Sequence, residues 1–133
     1  MRKPLRTVLI VVAVLVVVGL GVSGCFIGRF QKMRKTMLEA PIADVDLSRL
    51  EDGVYTGSFG EFLVSVTARV KVEAHRIVSI ELVDQRSGPG YEAKETVDRI
   101  IAAQSPKVDA VTGATGSSRC IMAAVYQALT AGR

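Results

Sequence analysis

The residues with the most chemical potential in this chain of 133 lie together at Asp109-Ala110-Val111-Thr112-Gly113-Ala114-Thr115-Gly116-Ser117-Ser118. Four hydroxyls and two glycines stand directly before Arg119-Cys120-Ile121, where a helical pattern takes over. A helix start presents unpaired N–H groups and the positive end of its dipole, and glycine lets a ligand come close to the backbone. Such a turn suits an anion, above all a phosphate.

Two readings compete for this turn. Thr112-Gly113-Ala114-Thr115-Gly116, following Val108 to Val111, looks like the strand-to-helix turn of a dinucleotide-binding Rossmann domain, which would make a small nicotinamide-dependent oxidoreductase. The spacing argues against it. Gly113 and Gly116 are three apart rather than two, and Arg119 stands where the next glycine is expected. Cys120 to Arg133 supplies neither a second strand nor an acidic ribose ligand.

The other reading uses the residues that the first ignores. Asp109, Thr112-Gly113-Ala114-Thr115 and Ser117 resemble the flavinylation motif of the FMN-binding domain family, which includes the C subunit of the sodium-pumping NADH:quinone oxidoreductase and the G subunit of the Rnf complex. The resemblance extends back to Asp52-Gly53-Val54-Tyr55-Thr56-Gly57, similar to the family's opening strand, and through Pro89-Gly90-Tyr91. It thus covers about the last eighty residues. The departure is Gly116, where relatives often carry a larger side chain.

This resemblance implies that Thr115 is esterified to the phosphate of FMN by a separate flavin transferase using FAD. The cofactor-binding set it implies is Thr112, Gly113, Ala114, Thr115 and Ser117, with Gly90 and Tyr91 bordering the flavin ring. Thr112 and Ser117 can hydrogen-bond a phosphate or serve local turn chemistry. A carboxylate beside a phosphate is repulsive, so Asp109 is assigned to holding the loop through backbone N–H bonds or to recognition by the modifying enzyme. For Arg119, pairing with the phosphate and facing solvent both stay open. The chain shows no general acid, base or nucleophile assembly. It therefore reads as an electron-transport module working with redox partner proteins rather than a self-contained enzyme, the flavin supplying the chemistry. The alternative is a sensory or scaffold module that binds FMN reversibly, without a redox role.

Charge and hydropathy divide the chain. Arg2, Lys3, Arg6, Arg29, Lys32, Arg34 and Lys35 precede any acidic residue, and the remainder holds ten basic and thirteen acidic side chains. The net charge of +4 therefore belongs to the amino-terminal segment and points to a membrane surface, not to nucleic acid. Between them, Thr7 to Gly28 carries no charge, and a bilayer-spanning helix needs about 20 such residues. The run exceeds the roughly 7–15 residues of a signal-peptide core, so an uncleaved anchor is preferred. Val22-Ser23-Gly24-Cys25 also resembles a lipobox, the alternative being a lipoprotein anchored through Cys25. Three basic residues precede the span and four follow it, which leaves orientation undecided by charge. The family resemblance implies a domain outside the cytoplasmic membrane. Cys25 and Cys120 are not expected to pair, and with His75 as the single histidine there is no metal-ligand spacing. Cys120 reads as a small buried side chain and His75 as an exposed turn residue.

The positioning elements follow from periodicity. Phe62, Val64, Val66, Ala68, Val70 and Val72 alternate with more polar residues, a half-buried strand. A turn at Ala74-His75-Arg76 leads to a second strand, Ile77 to Val83, with Val78, Ile80 and Leu82 on one face, and Val54 to Phe59 adds a third. Helices are expected over Tyr91 to Gln104 and Ser118 to Thr130. The latter carries a stripe of Ile121, Ala124, Val125, Ala128 and Leu129, with Ser117 or Ser118 as N-cap. The fold class is α+β, an antiparallel sheet packed by two helices and preceded by a transmembrane helix. The expected divisions are an anchor over 1–28, a juxtamembrane linker or short helix over 29–46 and the FMN-binding domain over 47–133.

Overall fold

The computed structural model describes residues 2–88, 90 and 92–131, the side chains of Arg2 and Lys3 excepted. The chain divides into two compact units, Met1–Lys32 and Met33–Arg133. Helix α1 runs over Arg2–Leu38. Within Pro4–Leu38 the most apolar 18-residue stretch has a mean hydropathy of 2.9 and none of it is buried, so the helix is long and apolar enough to cross a membrane. The basic residues in the last turns of α1 divide between the units, Arg29 and Lys32 in the first, Arg34 and Lys35 in the second. From Met33 onward the chain belongs to the second, where Met33, Met37, Ala40, Val45 and Leu50 are buried.

The second unit is built on an antiparallel sheet of β1 (Gly53–Glu61), β2 (Val64–Glu73) and β3 (Arg76–Arg86), in that spatial order. Val66, Ala68, Val70 and Val72 alternate into the core, as their period of two demands. Phe62 and Leu63 correct the expected start of the central strand. They form the turn of the first hairpin, closed by the Glu61–Val64 pair, with Phe62 at φ 55 and packed back onto the core. Ala74 and His75 form the second turn, both with positive φ, which matches the right-handed twist of the flanking strands. His75 is exposed there, its Nδ1 3.1 Å from the Leu50 carbonyl.

The face expected for β3 is also corrected. The register shifts twice: Val72 pairs with Ile77 but Lys71 with Ser79, and Ala68 pairs with Leu82 but Thr67 with Asp84. Val78 and Val83 are the extra residues at these two bulges, and both are exposed. Each bulge resets the alternation, so Ile77, Ile80 and Leu82 reach the core while Val78 does not.

Helices α2 (Glu95–Ala103) and α3 (Thr115–Ala131) complete the layer. The first starts later than its apolar spacing suggested because Ala93, at φ 52, interrupts any helical run through it. At its other end Gln104 adopts the left-handed conformation, and its N–H reaches the carbonyls of Ile100 and Ile101. The Gln104 side chain then pairs with β3: its Oε1 accepts from the Ile77 N–H at 2.7 Å and its Nε2 donates to the Ile77 carbonyl at 2.9 Å.

Helix α3 lies over β1 and β2. Its burial exceeds the expected single stripe, taking in Cys120, Met122 and Ala123 as well as Ile121, Ala124, Val125, Ala128 and Leu129. The closest approach is at Gly57. A Cβ there would stand 2.3 Å from the Ala124 carbonyl oxygen and 2.4 Å from the Ala128 nitrogen, both backbone atoms that cannot step aside. Gly57→Ala is expected to cost about 3 kcal/mol, the upper end of overpacking penalties, measured by denaturant unfolding of the full chain in detergent. The opposite sign is expected at Thr96, whose buried hydroxyl has no hydrogen-bond partner. Thr96→Val should stabilise by about 1 kcal/mol in the same assay.

Candidate functional site

The turn singled out by its small residues is a tight one. The Ala114 N–H donates to the Val111 carbonyl at 3.0 Å, and Gly113 takes φ +81, a backbone conformation that glycine adopts without strain. Helix α3 begins immediately afterwards, at Thr115. Ser117 and Ser118 are consequently not N-caps but lie within the first turn, a correction that follows from the turn delivering the chain straight into helical geometry. Ser118 has a different task. Its Oγ accepts from the Val111 N–H at 2.9 Å and donates to the Ala114 carbonyl at 2.8 Å, stapling the turn from beneath.

The N–H of Ser118 bonds to the Ala114 carbonyl, whereas those of Thr115, Gly116 and Ser117 find no partner among the described residues. Three amide donors are thus grouped at the positive end of a 17-residue helix. Thr112, Gly113 and Thr115 are exposed, Ala114 and Ser117 are buried. The Thr115 hydroxyl is at the helix mouth, with no hydrogen-bond partner among the described residues.

Two arginines fix this arrangement from outside the motif. Arg99 on α2 donates through Nη1 to the carbonyls of Asp109 at 3.0 Å and Ala110 at 3.2 Å, while its Nη2 is held by Glu95 at 2.7 Å. Holding the loop is therefore the work of Arg99. The Asp109 carboxylate, given that role from the sequence, makes no hydrogen bond or ion pair among the described residues. Arg119, for which two roles stood open, takes a third. Its Nε and Nη2 donate to the carbonyls of Met37 and Leu38, each at 2.7 Å, at the C-terminus of α1, where a cation also meets the negative end of the dipole. Neither contact was legible locally, since 10 residues separate Arg99 from Asp109 and 82 separate Arg119 from Met37.

Beside Thr115 lies a cleft of about 300 Å³ lined by Met33, Arg34, Met37, Leu38, Val64, Thr115, Gly116 and Arg119. Gly90 does not line it. That residue, at φ +82, sits in the loop between β3 and α2, its N–H donating to Glu92. Tyr91 lies outside the described residues. Cys120 is buried against the Met37 thioether, and burial pushes its thiol pKa from 9.0 up to about 12.

An exposed hydroxyl, amides without a partner among the described residues and an adjoining, largely apolar cleft have the chemistry that a phosphorylated, partly apolar cofactor requires, on an α+β scaffold. The family model for the FMN-binding domain matches residues 64–130, half of the chain, and the chain belongs to that family. No curated protein matches it. FMN is accordingly the cofactor, and the residues present fit it: the amides suit its phosphate and the cleft an apolar ring. The positions around Thr115 all fall within the match.

Cys120 provides a check on this packing. In a Cys25→Ser background it should resist a thiol reagent at pH 8 and react fully after denaturation. Its folded pKa lies above the unfolded one, so its contribution to stability is complete below pH 9.0 and is lost as pH rises towards about 12. Unfolding free energies measured along that range should fall in the parent and less in Cys120→Ala.

Proposed function

We propose that the protein is a membrane-anchored electron carrier whose FMN is attached through a phosphoester to Thr115. The observation that carries this reading is the exposed Thr115 hydroxyl at the first residue of α3, beside three unpartnered amides, inside a matched FMN-binding domain. Thr115 Oγ would take up the FMN phosphate of FAD on a separate flavin transferase. Its new P–O bond replaces the pyrophosphate link, AMP leaves, and the hydroxyl proton passes to the transferase or solvent. Thr112 and Ser117 stand on either side of that oxygen in sequence, and Gly113 and Ala114 set the turn that presents it. Bound FMN supplies one- and two-electron transfer. The chain's own contribution is to hold and shield it between redox partner proteins.

Helix α1 supports anchoring, since its apolar segment is long enough for a bilayer. Placement of the second unit outside the cytoplasmic membrane gives a covalent link its rationale, because a dissociated cofactor there is lost. A lipid on Cys25 is the alternative tether. The competing function, reversible FMN binding by a sensory or scaffold module, is favoured by the same amides, which can hold a phosphate without a bond.

The two functions separate at one oxygen. In protein produced with its transferase, the Thr115 peptide should carry FMN by mass spectrometry, Thr115→Ser should retain the adduct and Thr115→Ala should lose it with all in-gel flavin fluorescence. Reversible binding instead predicts an unmodified parent peptide and a Thr115→Ala variant that still takes up FMN with weakened affinity.

A further inference from the structure

The cleft beside Thr115 has walls of different origin. Thr115, Gly116 and Arg119 on α3, with Val64 at the start of β2, make one side. The helical turn Met33, Arg34, Met37 and Leu38 makes the other. That second wall lies outside the stretch matched by the FMN-binding domain, residues 64–130. It is nonetheless built in. Met33 and Met37 are buried in the common core, and Arg119 grips the carbonyls of Met37 and Leu38.

The lining has a definite chemistry. Met33 and Met37 stand one turn apart on the same helix face and are almost fully buried, the Met37 sulfur lying against Cys120, so they give the cleft an apolar wall with firm backing. Arg34 is exposed and makes no hydrogen bond or ion pair among the described residues, which leaves a cation on the cleft lining. On the motif side, a Cβ built on Gly116 meets nothing within 4 Å, so the space there is open. The volume of about 300 Å³ is at the lower end for small-molecule sites.

Building on the Thr115 attachment proposed above, we propose that this cleft receives the isoalloxazine ring of FMN, with Met33–Leu38 as its second wall. Continuity carries the inference, because the residue that would hold the phosphate lines the same cleft as the apolar wall. Arg34 then favours the reduced, negatively charged flavin over the neutral oxidised one and raises the reduction potential. The methionines and Val64 exclude water from the ring. Glycine at 116 leaves the entrance open where a larger side chain would narrow it.

The test uses the full chain, loaded by a flavin transferase with FAD, with every reading taken per bound FMN. Arg34→Glu should shift the midpoint potential to more negative values. Leu38→Glu, at an exposed position, should shift it in the same direction. Gly116→Leu should fill the cleft and make acrylamide quenching of flavin fluorescence at least about twofold stronger. Val54→Ser, on the exposed side of β1, serves as the control and should leave both readings at the parent value. Thr115-linked FMN that is quenched as readily as free FMN, with a potential unmoved by Arg34→Glu and Leu38→Glu, would overturn the ring site alone. A parent protein with no FMN on Thr115 would overturn both the ring site and the attachment.

Discussion

The arrangement rests on how closely one helix can lie on one strand. Gly57 on β1 faces the backbone of Ala124 and Ala128 at distances that leave no room for a methyl group, and its cross-strand partner is the fully buried Ala68. Small residues on both surfaces let α3 settle directly onto the sheet, where dispersion contacts are numerous and no rotamer entropy is lost. The depth and direction of α3 follow from that seam. Because Thr115 is the helix's first residue, the same seam sets where its hydroxyl emerges. A chemical site at a helix mouth is only as well placed as the body of the helix behind it.

Around this seam the polar contacts divide the labour. Ser118 closes the turn from within, Arg99 restrains the chain before it, and Arg119 fastens the helix to the carbonyls of Met37 and Leu38. None of the three consumes the amides of residues 115–117, which have no partner among the described residues. The motif thus contributes the hydroxyls and amides, while the restraint comes from two arginines that the motif does not contain.

Much of this was legible from local pattern. The alternation of Val66, Ala68, Val70 and Val72 and the apolar spacing of α3 reflect periodicities that burial imposes on any sheet or helix. The turn before Thr115 announced itself through glycines and hydroxyls. What escaped local reading depends on partners distant in sequence or on single backbone dihedrals. The bulges at Val78 and Val83 exist only relative to β2, and the left-handed conformations of Phe62 and Ala93 are unusual for those residue types. The burial of Met33, Met37 and Val45 was hidden because these residues are spread through a stretch interrupted by Arg34, Lys35, Glu39, Pro41 and Asp44.

Gln104 carries a consequence for the assembled state of many molecules. An open three-stranded sheet exposes hydrogen-bonding groups along its outer strands, and identical chains brought together can zip along them. At Ile77 the Gln104 amide already occupies both the donor and the acceptor of the strand, much as a neighbouring peptide would. The same residue terminates α2, so one side chain both ends a helix and plugs a sheet margin. Such a plug leaves that point of the strand margin with neither a donor nor an acceptor to offer a second copy of the chain.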